Sequence, residues 1–122
     1  DETIYLDYLV LIIAQIADEG DVVILGRGSQ YILDDHPEAF HILMLDTFEN
    51  RVRFMQKNYD LSEKRATRII RGEDKRRKTL YQKLGKTDYD NPFLYHMVLN
   101  MSKLSLEEAK QIVCQQINLK KE

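Results

Sequence analysis

Two groups of residues in this chain carry the types that bind anions. The first is Val22-Val23-Ile24-Leu25-Gly26-Arg27-Gly28, an aliphatic run that passes directly into an arginine between two glycines. Such glycines allow a sharp turn and a close approach of backbone to ligand, while a guanidinium holds phosphate or carboxylate through two parallel hydrogen bonds. If the run is a strand, Arg27 sits at its carboxyl end, where open α/β sheets gather ligands. The plainer alternative is a strand closing in a tight turn with an exposed arginine. The second group lies between Lys64 and Lys86, where ten Lys and Arg face only Glu73 and Asp74. Within it Lys64, Arg68, Arg71, Lys75 and Lys78 recur at steps of four and three, which lines them along one helix face. Unpaired, that face repels itself, so nucleotide phosphates or nucleic acid would stabilise it; a solvated face is the bland reading.

The elements that must position these residues are legible from periodicity. Residues 3–18 are apolar around much of a helix that Gly20 stops, and a helix of this kind must be covered on more than one side. Asp21 to Leu25 is the first expected strand, followed by a short helix or turn at 29–33 and a loop at 34–38 containing Pro37. His41 to Leu45 is the second strand, an unalternated apolar run of the type buried in parallel sheets. Asp46 caps the next helix with Glu49 as its capping-box partner, and that helix reaches about Asn58. A long helical segment starts at Ser62 and is expected to break or bend at Gly72, which costs about 1 kcal/mol relative to alanine. A loop at 85–92, a third strand at Leu94 to Leu99 and a capping box at Ser105 to Glu108 before the terminal helix complete the chain. The order predicts an α/β protein: a parallel sheet with crossover helices.

A length of 122 residues suits one domain. The net charge of −2 conceals an asymmetry, since the basic stretch carries +8 and the remainder −10, which favours a local polyanion site over a generally basic protein. No apolar run approaches the roughly 20 residues that cross a bilayer, so no membrane role is expected. The single cysteine, Cys114, reads as helix core, offers no internal disulfide and suits a reducing, cytoplasmic setting. His36, His41 and His96 lack metal-ligand spacing, so no metal site is expected. Tyr81, Tyr89 and Tyr95 lie near the basic segment, where they either stack on a base or pack in the core or rim. The start at Asp1 without a methionine leads us to expect sequence upstream.

With these pieces in order, the chain resembles the later two thirds of a cytidylate kinase-like protein, among the P-loop nucleoside monophosphate kinases. The resemblance spans residues 3–117. It is carried by Glu19-Gly20 leading into Gly26-Arg27-Gly28, by Leu45-Asp46 followed by Arg51, by Asp74 and Arg77, and by Tyr95 to Asn100 leading into Leu104 to Ala109. It implies that Arg27, flanked by Gly26 and Gly28, grips the monophosphate of the acceptor nucleotide, and that Arg51 lies on the ATP side. It implies further that Asp74 holds the acceptor sugar and Arg77 its phosphate, within a lid arm at 61–86. Arg71 resembles the lid's first arginine, one position out of register, and with Arg77 would act on the transferred phosphoryl group. Phosphoryl transfer needs spread positive charge and exclusion of water, which a hinged arm of arginines supplies on closing. The cofactors implied are ATP and Mg²⁺.

Three departures shape the expectation. Gly28 stands where typical members carry an acid that helps read cytosine, and Met55 stands where they carry a further arginine. No G-x-x-x-x-G-K-[ST] loop occurs in the 122 residues. In the family that loop follows a first strand lying between the two strands expected here at 21–25 and 41–45. The fold expected is therefore a single incomplete domain over 1–122, lacking the first strand and phosphate-binding loop, with an upstream segment or partner chain completing the sheet. A re-paired three-stranded sheet is the alternative. The function expected is the nucleotide-binding part of a phosphotransferase that moves the ATP γ-phosphoryl to a nucleoside monophosphate such as CMP, negligibly active as this chain alone. The alternatives are a non-catalytic nucleotide-binding or regulatory module, and a nucleic-acid-binding domain that uses the basic arm.

Overall fold

In a computed structural model, residues 2–121 are described, the two outermost by backbone alone. They form a helix-rich α/β fold with a two-stranded parallel sheet. The chain divides into two compact units, one containing the described residues up to His41 together with Arg71–His96, the other Ile42–Ile70 with the residues from Met97 on.

In the first unit, α1 (Glu2–Glu19) ends as the sequence indicates: Gly20 takes φ 75 and its N–H bonds the Ala17 carbonyl at 3.1 Å. Ile13 is buried and α1 packs against α2 (Ser29–Ile32). Tyr5, Tyr8 and Leu11 nevertheless remain about 60% exposed (59, 62 and 64%), so the described residues do not supply the cover expected on several sides. Residues 22–25 are not a strand. A strand exists only through a partner's hydrogen bonds, and this run has none among the described residues; Val23 and Leu25 are each 86% exposed. The unit also takes the greater part of α4 (Glu63–Lys83), which is continuous through Gly72 instead of breaking there. One glycine weakens a helix but does not interrupt its hydrogen-bond ladder, and nothing but the Arg76 guanidinium lies near its missing side chain, at 3.6 Å. After Gly85 the chain passes through a 3₁₀ turn at Pro92–Leu94.

In the second unit, β1 (Ile42–Leu45) pairs in parallel with β2 (Met97–Asn100), Ile42 opposite Met97 and Leu45 opposite Asn100. The third strand thus begins later than Leu94. Pro92 lacks an N–H for a ladder and starts the 3₁₀ turn, which the Asn91 side chain caps by accepting from the Phe93 N–H at 2.9 Å. The run at 41–45 is less buried than its composition indicates, Met44 and Leu45 being about half exposed. The cap of α3 (Phe48–Tyr59) is Thr47, not Asp46: Thr47 Oγ1 accepts from the Asn50 N–H at 3.1 Å, and Asp46 braces it from the Thr47 N–H and the Asn50 amide. The core joins Val52 of α3 to Ala66 and Ile70 of α4, with Met55 and Leu61 against them. The capping box of α5 (Leu106–Lys121) forms in both directions, Ser105 Oγ accepting from the Glu108 N–H and the Glu108 carboxylate from the Ser105 N–H. These bonds favour the ionised carboxyl and hold Glu108 below its ordinary range. Cys114 is exposed on α5, not core, because α5 buries Ala109 and only partly buries the neighbouring Ile112 and Val113.

Candidate functional site

Gly26, Arg27 and Gly28 all occupy the left-handed region, at φ 67, 62 and 70. Glycine adopts it freely, whereas for a residue with a Cβ it costs roughly 1–2 kcal/mol. An arginine held there, with its side chain exposed, is strain of the type that gathers at ligand sites. The turn closes through the Ser29 N–H to the Gly26 carbonyl at 3.2 Å and the Tyr31 N–H to the Gly28 carbonyl at 3.0 Å. Gly28 is also a point of close approach, since a Cβ there would lie 2.7 Å from Cδ1 of Leu84.

Behind this turn α2 buries Gln30 and Tyr31. Tyr31 meets Tyr81 of α4 edge to face, centroids 5.0 Å apart, and Tyr89 lies 6.1 Å beyond Tyr81. The Asp90 N–H donates to the Tyr31 hydroxyl oxygen at 3.4 Å, and the Tyr95 hydroxyl donates to the Asp90 carboxylate at 2.8 Å. Burial and the bond to Asp90 push Tyr95 far above the ordinary phenol range. Tyr31 and Tyr81 are raised too, chiefly by burial, the Asp90 N–H opposing this for Tyr31 and a hydrogen bond from Gln30 opposing it for Tyr81. Of the alternatives open for the tyrosines, Tyr81 thus takes the packed one.

On α4, Lys64, Arg68, Arg71, Lys75 and Lys78 are all exposed, as their spacing predicts. Arg77 bonds Asp74 at 3.2 Å and Arg76 pairs with Glu73 one turn away. Arg71, Asp74, Lys75 and Lys78 line an open depression of about 430 Å³ together with Thr79 and Gln82. Arg27, Arg71, Asp74 and Arg77 therefore belong to one unit, whereas Arg51, fourth residue of α3, belongs to the other. Met55 packs on the Val52–Ala66–Ile70 core, a role an arginine would fill poorly. Among the described residues no group of three or more His, Cys, Asp or Glu is arranged to hold a metal ion, and no helix is long and apolar enough to cross a membrane. The residues that sequence reasoning missed are Gln30, Tyr31, Leu84 and Asp90. Only the density of tyrosines hinted at them.

A family model described as the cytidylate kinase-like family matches residues 1–103. The chain belongs to that family. The match takes in the Gly-Arg-Gly turn, Arg51, all of α4 and β2, and stops ahead of α5. Among solved structures, the cytidylate kinase-like chain shares its fold with an uncharacterised protein from Eubacterium ventriosum ATCC 27560, at a TM-score of 0.78 and 20% identity. That alignment covers 89% of this chain and 62% of the other, so the cytidylate kinase-like chain spans less than two thirds of that structure. No curated protein matches the chain.

Proposed function

We propose that this chain is the acceptor-binding part of a nucleoside monophosphate kinase, which transfers the ATP γ-phosphoryl to a monophosphate such as CMP. The observation that carries this is Arg27 held left-handed between two left-handed glycines, a backbone cost that anion binding justifies. Arg27 holds the acceptor phosphate, Asp74 its sugar, and Arg77 and Arg71 approach the phosphates from the basic arm at 61–86, which acts as a lid. Arg51 serves the ATP side. The arm's unbalanced positive charge supports this assignment, since phosphoryl transfer depends on electrostatic stabilisation of the oxygens in flight.

Mg²⁺ and the ATP phosphates do not fit the described residues, which offer neither a metal-holding carboxylate set nor a G-x-x-x-x-G-K-[ST] loop. We assign that role to a further strand and loop, from additional sequence or a partner chain, that pair with residues 22–25. In this assignment residues 1–122 are one incomplete domain and turn over negligibly alone. The alternative reading is a non-catalytic module that binds a monophosphate without transferring to it.

Calorimetric titration with CMP, UMP and AMP, beside a short oligonucleotide at two salt concentrations, tests the proposal. Binding of a monophosphate with modest salt dependence is expected. Preference for the oligonucleotide with a steep salt slope would instead identify a nucleic-acid-binding protein. Phosphoryl transfer from ATP after the missing loop is supplied separates the kinase from the module.

A further inference from the structure

The turn that holds Arg27 has little intrinsic reason to persist. Three successive left-handed residues, one of them an arginine, lead into a helix of four residues, far below the length that is stable alone in water. Its geometry must be imposed from outside, by Leu84 packed against Gly28 and by the groups around Asp90. Tyr31, two residues into the one turn of α2, sets its ring on Tyr81 at 5.0 Å and 74°. Its hydroxyl is held by the Asp90 amide, and the Asp90 carboxylate is held by the Tyr95 hydroxyl. Asp90 is itself left-handed at φ 56, a conformation that Asp and Asn tolerate better than other residues with a Cβ. Tyr31 and Tyr81 are 8% and 4% exposed, so their rings are fixed by packing, while the Asp90 bonds that tie the Tyr31 hydroxyl to Tyr95 are part-buried.

We infer, building on the reading that Arg27 holds the acceptor phosphate, that Asp90 and Tyr95 are positioning residues for Arg27, acting through Tyr31 and α2. They touch no ligand. They fix α2, the helical turn that follows the Gly-Arg-Gly segment, and with it the direction in which the guanidinium is offered. Their contribution is therefore confined to the part of binding that depends on the phosphate.

A double-mutant cycle tests this. CMP and cytidine are titrated calorimetrically against the protein and its Tyr95→Phe, Arg27→Ala and doubly substituted forms. Tyr95→Phe is expected to weaken CMP binding by roughly three- to tenfold, leave cytidine unchanged, and add nothing once Arg27 is alanine. Asp90→Ala should lose the same factor, while Asp90→Asn, which keeps an acceptor for Tyr95 and tolerates the backbone, should retain CMP affinity. Equal losses for CMP and cytidine, additive effects of the two substitutions, or no effect of Tyr95→Phe beside a clear effect of Arg27→Ala would each overturn the inference. Unchanged CMP affinity in Arg27→Ala would overturn the underlying assignment of Arg27 instead.

Discussion

Arg27 and Gly28 show how much chemistry two backbone angles can carry. At φ 70, with Leu84 Cδ1 2.7 Å from where a side chain would begin, Gly28 meets backbone strain on substitution. Gly28→Ala is expected to lower stability by roughly 1–2 kcal/mol, read as a lower urea midpoint with unchanged slope. The tyrosines behind it set a limit on the alkaline side. Tyr31, Tyr81 and Tyr95 all titrate higher in the folded chain than the ordinary value of 10.0. As pH rises through about 10, the unfolded chain therefore loses phenolic protons before the folded one. Stability that is fully present below that pH declines above it. Urea unfolding at pH 8 and pH 10.5 should show the decline, and Tyr95→Phe should make it smaller; an equal decline in both proteins would remove Tyr95 from the account.

Among the elements, α4 offers the sharpest test, because its single glycine serves no close contact: the nearest atoms belong to the flexible Arg76 guanidinium at 3.6 Å or more. Gly72→Ala is expected to raise stability by about 1 kcal/mol and shift thermal unfolding upward; a loss would mean that the helix needs to bend there. The elements legible in the sequence were those specified locally. Gly20 stops α1 and Ser105 and Glu108 cap α5, both through signals within a few residues. What the sequence hid depends on partners. Val22 to Leu25 have strand composition but no neighbouring strand among the described residues, and the onset of β2 was moved by the Asn91 and Pro92 turn. For the site, Arg27 stood out through its flanking glycines. Asp90 and Tyr31 did not, because 59 residues separate two groups that a hydrogen bond joins.

The molecule as a whole presents apolar surface that its described residues leave uncovered. Val23 and Leu25 are 86% exposed, α1 shows Tyr5, Tyr8 and Leu11, and a sheet of two strands is below the size that is stable without further cover. A strand inserted beside residues 22–25 would cover Val23 and Leu25. Amide exchange at Val23, Ile24 and Leu25 should therefore be fast in these 122 residues and slow by at least about tenfold when the completing segment is present; equal rates would rule out that pairing. The central claim, that the chain holds an acceptor monophosphate through Arg27, rests most directly on one comparison. Calorimetric CMP affinity should fall by roughly 10- to 100-fold in Arg27→Ala, the loss of charge-assisted hydrogen bonds to phosphate, while affinity for cytidine stays unchanged. CMP affinity that survives the substitution, or a cytidine affinity that falls with it, would contradict the account.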